Sequence, residues 1–304
     1  MKQIIFTDLD GTLLDRVTYS YDKSLAGINM LKRRGVPMIF CSAKTRAEQQ
    51  VYRTDMGVSH PFIVENGGAI FIPQNYFPFP FSYHKKVDNL LGIELGSPYE
   101  EIRRLLNEVR AKGGFHFRGF GDMNVEEVAQ ATGLTIELAR LAKQREYSET
   151  LVIANPSLPV ILRERNVVAQ FIGRLCLINQ ATTAGCANQS HVASGEIDEA
   201  LRQIKAVGLN WTPGGRFYDV LAANDKGKAV NILVDLYRRM WGEVETIGLG
   251  DSLNDLPMLS AVDLPILVQK KDGNWEEINL PRLRKVQGVG PEGWSRAVTE
   301  LVQD

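Results

Sequence analysis

The chain has 304 residues, of which 44% are hydrophobic and 23% are charged, and its formal net charge is -1. This length predicts two domains of ~150 residues each, and the balanced charge argues against a nucleic-acid or membrane partner. The N-terminus lacks the pattern of a signal peptide, and three scattered cysteines do not suggest a disulfide framework. We therefore expect a cytoplasmic protein with reduced thiols.

The first third of the chain alternates short apolar segments with helical patterns. In chain order, strands are predicted at 2–7, 36–41, 62–64 and 69–72, and helices at 24–34 and 45–56. Strands and helices that alternate with short connections are typical of a parallel sheet. The segment 73–99 is rich in proline and aromatic residues, which predicts an irregular crossing out of this first domain.

The middle of the chain mixes helices and strands, as in a separate α+β domain. Helices are predicted at 100–112, 124–131, 135–143 and 196–207, and strands at 150–154 and 160–162. The first pattern then returns, with helices at 226–241 and 293–302 and strands at 244–249 and 264–268. We expect one α/β domain, residues 1–84 and 212–304, that is interrupted by an inserted domain, residues 85–211.

Polar side chains stand where the strands of this α/β domain end or where a helix begins. They are Asp8, Asp10, Ser42, Lys226, Asp251 and Asp255. Because ligand sites of parallel sheets lie outside the carboxyl ends of the strands, we expect these side chains to meet at one edge of the sheet. Clustered carboxylates repel one another unless they share a hard cation, and oxygen ligands fit Mg²⁺.

The same residue types suit phosphoryl transfer. A carboxylate can act as a nucleophile and form an aspartyl-phosphate. Lys226 and Ser42 would then neutralise and hydrogen-bond the phosphoryl oxygens, because phosphoryl transfer depends mostly on positioning and charge stabilisation.

The segments Asp8–Leu14, Lys226-Gly227 and Gly250–Asp255, together with Ser42, resemble the four ordered motifs of the haloacid dehalogenase-like (HAD) phosphatases. This resemblance implies a Rossmannoid parallel-sheet core with an inserted α+β cap of the C2 type. It also implies that Asp8 is the nucleophile and that Asp10 is the general acid and base. Mg²⁺ would be held by Asp8, Asp251 and the backbone carbonyl of Asp10, with support from Asp255.

Four further segments are similar to the mannosyl-3-phosphoglycerate phosphatase family: Ser42–Glu48, Glu65–Gly68, Arg145–Glu149 and Gly214–Tyr218. That family releases phosphate from mannosyl-3-phosphoglycerate to give mannosylglycerate, a compatible solute. The resemblance implies a small anionic sugar–glycerate phosphate as the substrate. The expected substrate contacts are Lys44, Arg46, Asn66, Glu149, Arg216 and Asn254. Arg216 is the preferred clamp, because a guanidinium fork matches a carboxylate or a phosphate.

Several alternatives stay open. An extra stretch at 163–195 departs from the family pattern, so glucosyl-3-phosphoglycerate, sucrose phosphate and trehalose phosphate are alternative substrates. A phosphotransferase is a further alternative, because an aspartyl-phosphate can pass to a sugar hydroxyl. A non-catalytic phosphosugar-binding protein is the third, although the paired Asp8 and Asp10 argue against it. A homo-oligomer is compatible with the sequence.

Overall fold

The computed structural model of the chain describes residues 1–153, 187–214 and 217–302. The chain divides into two compact units. The first consists of Met1–Pro98, Gln144–Ser148 and Ala223–Asp304, and the second consists of Tyr99–Lys143 and Glu149–Ala222. In chain order the second unit is inserted into the first.

The described helices, in chain order, are α1 (Leu25–Arg34), α2 (Arg46–Asp55), α3 (Tyr99–Gly113), α4 (Val125–Thr132), α5 (Ile136–Ala142), α6 (Ala187–Ala206), α7 (Lys226–Trp241), α8 (Leu256–Ser260) and α9 (Pro291–Val302). The described strands are β1 (Lys2–Thr7), β2 (Met38–Phe40), β3 (Phe62–Val64), β4 (Ala69–Pro73), β5 (Lys85–Val87), β6 (Leu90–Glu94), β7 (Phe117–Gly119), β8 (Ser148–Ile153), β9 (Asn210–Gly214), β10 (Phe217–Leu221), β11 (Val244–Gly250), β12 (Leu264–Gln269) and β13 (Arg284–Val289). No helix among the described residues has both the length and the apolar character needed to cross a membrane.

A five-stranded parallel sheet lies at the centre of the first unit, with the strand order β13-β12-β11-β1-β2. In the pair of β1 and β11, Lys2 lies opposite Val244 and Thr7 lies opposite Leu249. These two strands therefore end at the same level. The loops that follow them leave the sheet side by side, at its carboxyl edge.

Helices cover both faces of this sheet, which explains why three apolar residues, Ile4, Ile5 and Phe6, follow one another in β1. Ile5 packs in a core that includes Trp294 of α9, whereas Ile4 and Phe6 pack in a core that includes Tyr237 of α7. Such continuous apolar strands are typical of parallel sheets buried on both faces. Each fully buried side chain of this size contributes ~1.5–3 kcal/mol through the hydrophobic effect. The sheet whose carboxyl edge carries the polar loops is therefore stabilised by packing on both of its faces.

A second sheet of the first unit is antiparallel, with the order β3-β4-β6-β5. A single parallel bridge between Cys41 and Ile63 joins β3 to the end of β2. The predicted irregular segment over 73–99 is confirmed for 74–84, which contain no helix or strand, but is wrong for 85–94, because β5 and β6 form a hairpin there that pairs with β4. The lysines of β5 and Gly92 of β6 interrupt the apolar alternation, so the sequence pattern conceals these strands.

The second unit combines helices with a four-stranded sheet of order β7-β8-β10-β9. Its main core includes Ile102 and Leu106 of α3, Ile204 of α6 and Val220 of β10. A parallel-sheet unit interrupted by an α+β unit is the predicted fold class, and the structure confirms it. The predicted strand at 160–162 and residues 163–186 of the extra stretch lie outside the described residues.

Candidate active site

The loops after β1, β2 and β11 bring polar groups to the carboxyl edge of the parallel sheet. Asp8 continues the ladder for one residue, since its backbone N–H donates to Leu249 O at 2.9 Å. Ser42 follows β2, the other neighbour of β1, and its side chain is buried. These residues lie at the edge of the sheet where the sequence predicts that the polar side chains meet.

Lys226 connects two of the carboxylates. Its Nζ lies 2.7 Å from Asp8 Oδ1 and 2.6 Å from Asp255 Oδ1, and its side chain is 0% exposed. It is the first residue of α7, whose N-cap Asp225 accepts a hydrogen bond from the N–H of Lys228. The neighbouring carboxylates raise the pKa of Lys226 well above its ordinary value, against the opposing effect of burial. Lys226 is therefore a permanent positive charge at the site.

Three buried carboxylates lie close enough to share a cation. Asp8, Asp251 and Asp255 each offer an oxygen, and these oxygens lie within 4.8 Å of one another. Burial, and then repulsion among these carboxylates, raises the pKa of Asp251 to about 7 and that of Asp255 to about 6. A hard divalent cation relieves this repulsion and prefers oxygen ligands. The cluster could therefore hold a metal ion.

Asp255 and Asp251 each accept hydrogen bonds on both carboxylate oxygens. Asp255 Oδ2 accepts from the N–H groups of Asp251 and Ser252 at 3.0 and 3.2 Å, and its Oδ1 accepts from Lys226. Both oxygens of Asp255 thus have protein donors, as expected for a supporting residue. Asp251 Oδ1 accepts from the Thr12 hydroxyl at 3.2 Å, and its Oδ2 accepts from Arg16 Nη2 at 3.2 Å.

Glycine at position 11 is required by the close approach of Asp251. Gly11 has φ +88°, which is in the left-handed region. A Cβ at this position would lie 2.8 Å from Asp251 Oδ2 and 2.8 Å from Arg16 Nε. The glycine of the Asp-Gly-Thr motif is therefore needed both for its backbone conformation and for space.

Asp10 has two carboxylate oxygens in different surroundings. Its Oδ2 lies 3.0 Å from Lys44 Nζ. Its Oδ1 is buried and has no hydrogen-bond partner among the described residues. Burial raises the pKa of Asp10, and the charge of Asp8 adds to this rise, although Lys44 opposes it. A carboxyl group that retains its proton more readily than usual suits general acid chemistry.

The residues predicted to contact the substrate bond to other residues of the chain in the structure. Arg46 Nε pairs with Glu146 Oε1 at 2.8 Å, and Lys44 pairs with Asp10. Asn66 is buried behind the site, where its N–H donates to Ser42 O at 3.0 Å. Asn254 accepts a hydrogen bond from the Ser252 hydroxyl at 2.7 Å.

Two predicted substrate contacts need separate comment. Glu149 belongs to the second unit, where it is fully buried and its Oε2 accepts from the Tyr99 hydroxyl at 2.8 Å and from Arg103 Nη1 at 2.9 Å. Arg216, the preferred clamp, lies outside the described residues.

The sequence reasoning missed Arg16 at this site. Arg16 Nη2 lies 3.2 Å from Asp251 Oδ2. Its position shortly after the Asp-Gly-Thr motif is the one signal that could have indicated this contact.

The sequence analysis also missed a buried cluster of hydrogen bonds and an ion pair around Glu65, here called the Glu65 cluster. Glu65 Oε2 accepts from the Tyr147 N–H at 3.0 Å and from the Ser148 hydroxyl at 2.7 Å, and it lies 3.8 Å from Arg145 Nε. Arg145 Nη2 in turn donates to Ala43 O at 3.1 Å, next to Ser42. The Glu65 cluster thus holds the loop that carries Ser42 and Lys44.

A parallel sheet with these carboxylates, a serine and a lysine at its carboxyl edge is the arrangement that the resemblance to the haloacid dehalogenase-like phosphatases implies. A sequence model of the haloacid dehalogenase-like hydrolase family matches residues 5–80. A solved haloacid dehalogenase-like hydrolase from Bacteroides thetaiotaomicron has a TM-score of 0.61 and 13% identity, and the match covers 99% of this chain and 100% of that chain. At this identity the likeness shows the fold alone. The predicted HAD-like fold is confirmed.

Relatives of higher identity define the family more narrowly. A glucosyl-3-phosphoglycerate/mannosyl-3-phosphoglycerate phosphatase of Methanococcoides burtonii is 43% identical over 99% of this chain and 98% of its own length. A mannosyl-3-phosphoglycerate phosphatase of Pyrococcus furiosus is 37% identical over 88% of this chain and 91% of its own length. The chain belongs to this family of HAD phosphatases. The predicted enzyme class, a phosphoric monoester hydrolase, is confirmed.

Proposed function

We propose that the protein is a Mg²⁺-dependent phosphatase that hydrolyses mannosyl-3-phosphoglycerate, and also its glucosyl counterpart, to the glycosylglycerate and phosphate. The chemistry rests on one observation: Asp8 lies 2.7 Å from the buried ammonium of Lys226, and Asp10 follows it with one buried oxygen that has no partner among the described residues. The choice of substrates is supported by the Methanococcoides burtonii relative, which carries both sugar names and aligns over 99% of this chain.

In the proposed mechanism, Asp8 attacks the phosphorus atom of the bound substrate. Lys226 balances the charge of Asp8 and of the phosphoryl oxygens, and the Ser42 hydroxyl donates a hydrogen bond to one of them. As the bond from phosphorus to the glycerate oxygen breaks, Asp10 gives its proton to that oxygen. The products of this step are the glycosylglycerate and an acyl phosphate on Asp8.

Water completes the reaction. Asp10, now a carboxylate, takes a proton from a water molecule as that water attacks the phosphorus of the Asp8 acyl phosphate. The bond between phosphorus and Asp8 breaks, which releases inorganic phosphate and restores both carboxyl groups.

The proposed Mg²⁺ fits the carboxylate cluster. Asp8, Asp251 and the backbone carbonyl of Asp10 would hold the ion, with Asp255 in support. When bound, Mg²⁺ would neutralise negative charge on the phosphoryl group. The crowding of Asp8, Asp251 and Asp255 is the observation in favour, because protein donors alone leave repulsion that raises the pKa values of two of them.

Substrate selection is a further part of the proposal. We assign it to the second unit as a cap, with Arg216 as a clamp for the glycerate carboxylate and Arg46, Asn66, Glu149 and Asn254 as further predicted contacts. A cytoplasmic location and a small anionic substrate complete the proposed role.

A substrate panel tests this function. The purified protein, with Mg²⁺, is assayed for phosphate release from mannosyl-3-phosphoglycerate, glucosyl-3-phosphoglycerate, sucrose phosphate and trehalose phosphate. We expect kcat/KM for both phosphoglycerate compounds to exceed the values for the other two. Equal values across the panel would refute the narrow assignment. Transfer of phosphate to an added sugar in place of water would favour a phosphotransferase.

A further inference from the structure

The ammonium of Lys44 is buried among acidic and aromatic side chains of the chain itself, which a lysine that only binds substrate does not need. Its side chain is 5% exposed, and its Nζ lies 3.0 Å from Asp10 Oδ2 and 3.5 Å from Glu48 Oε1. The ammonium also lies 4.9 Å from the ring centre of Tyr19 and 5.7 Å from that of Tyr52. Carboxylates and aromatic faces therefore surround the charge of Lys44, and both kinds of neighbour attract a cation.

The Glu48 end of this arrangement is anchored to a helix. Glu48 Oε2 accepts from the Thr45 N–H at 3.0 Å and from the Thr45 hydroxyl at 3.1 Å, and the Thr45 hydroxyl accepts from the Glu48 N–H in return. This is a capping box at the start of α2, an arrangement that stabilises a helix N-terminus. Glu48 is thus held by α2, and through Lys44 it can hold the loop that carries Asp10.

The contact with Lys44 makes the two oxygens of Asp10 unequal. Oδ2 is used by the ion pair, whereas Oδ1 is buried and has no hydrogen-bond partner among the described residues. A fixed Oδ2 leaves the carboxyl group little freedom to rotate about its terminal bond. The oxygen without a partner is consequently the one that can carry a proton to another group.

We infer that Lys44 is a positioning residue, which holds Asp10 so that its Oδ1 delivers the proton to the departing ester oxygen. Asp10 Oδ1–H gives its proton to this oxygen as the P–O bond breaks and an O–H bond forms, and Lys44 keeps its own protons throughout. This role replaces the predicted one, in which Lys44 contacts the substrate. The inference rests on the proposed function in that it takes Asp10 as the general acid.

The test uses the different needs of two leaving groups. A sugar–glycerate leaving group is a basic alkoxide and needs a proton, whereas p-nitrophenolate is a weak base and leaves without one. The variant Lys44→Gln is compared with the intact protein on mannosyl-3-phosphoglycerate and on p-nitrophenyl phosphate. The quantity measured is kcat/KM, which reports only the steps up to departure of the leaving group.

We expect Lys44→Gln to lower kcat/KM about 30-fold for the alkyl ester and less than about 3-fold for the aryl ester. A positioned general acid contributes about 10²–10⁴-fold. The variant keeps Asp10 but loses its positioning, so only part of this factor is lost. Lys44→Arg keeps the charge and should restore part of the loss. Lys23→Gln, which removes an exposed lysine paired with Glu292, is the control and should change neither value. The ratio of the two substrates is internal to each protein, so a partly unfolded sample does not alter it.

A double variant separates positioning from substrate binding. If Lys44 acts through Asp10, adding Lys44→Gln to Asp10→Asn should cause no further loss of kcat/KM for the alkyl ester. An equal loss on both substrates, or an additive loss in the double variant, would overturn the inference. If the intact protein does not hydrolyse mannosyl-3-phosphoglycerate, the proposed function fails. The ratio is then measured with the alkyl phosphate of the panel that is hydrolysed fastest, and the inference is judged separately.

Discussion

Lys226 offers the sharpest test of the charge balance at the carboxylate cluster. It is buried, with ion pairs of 2.7 and 2.6 Å to Asp8 and Asp255. Lys226→Met keeps most of the side-chain volume and removes the charge, which leaves two buried carboxylates without their shared cation. Removing one partner of a buried ion pair costs about 3–5 kcal/mol. For a domain of 150–250 residues this cost corresponds to a fall in Tm of about 6–20 °C.

The same variant should lose activity as well as stability. Removing one group that stabilises transition-state charge costs about 10²–10³-fold in kcat, so we expect phosphate release to fall by that factor. Lys228→Met is the matched control, because Lys228 lies two residues further along α7 with a side chain that is 59% exposed. Thermal unfolding and steady-state hydrolysis are measured for both variants. Equal Tm and kcat values for the two would refute the role of Lys226.

Three further predictions concern the close approach at Gly11, the Glu65 cluster and the pH dependence of stability. Gly11→Ala should lower Tm and weaken Mg²⁺ binding in calorimetry, because its Cβ would meet Asp251 Oδ2 at 2.8 Å. Gly35→Ala, also at positive φ but in open space, should cost stability alone, and equal metal affinities would contradict this. Glu65→Gln removes the buried negative charge that lies 3.8 Å from Arg145 Nε, so unfolding in urea should show a loss of about 3–5 kcal/mol; a change below about 1 kcal/mol would contradict it. Without metal, Asp251 should add about 1 kcal/mol of stability from pH 8 to pH 6, because its pKa of about 7 exceeds the ordinary value and the folded state takes up the proton. Burial lowers the pKa of His60 to about 4, which changes stability in the opposite direction with or without metal. The test is therefore the difference between metal-free and Mg²⁺-saturated protein: Mg²⁺ should remove the Asp251 contribution, and the same pH dependence of Tm in both forms would refute the reasoning.

Local signals were sufficient to identify the motif segments. Asp8 comes after an apolar strand, and Lys226 is the first residue of a helix with the Asp225 N-cap. The observed bounds of β1 and α7 agree with the predicted ones, because apolar periodicity and capping residues are local properties. The parallel sheet then brings these segments to one edge, so their proximity also followed from the sequence.

Contacts between distant segments could not be predicted in the same way. The Lys44–Asp10 pair and the contact of Glu65 with Ser148 depend on which side of a loop each side chain takes. Periodicity carries no information about such tertiary contacts. The β5–β6 hairpin was missed for a related reason, since its stability comes from pairing with β4 rather than from its own apolar pattern.

The central claim is that Asp8 forms a covalent acyl phosphate during turnover. The most direct measurement is an acid quench of the protein within one turnover of mannosyl-3-phosphoglycerate and Mg²⁺, followed by mass spectrometry of the peptides. The account predicts phosphate bound to the peptide that contains Asp8. It also predicts that the bound phosphate forms and decays at rates consistent with kcat, and that Asp8→Asn abolishes it. Turnover without bound phosphate, or with phosphate on another residue, would contradict the account.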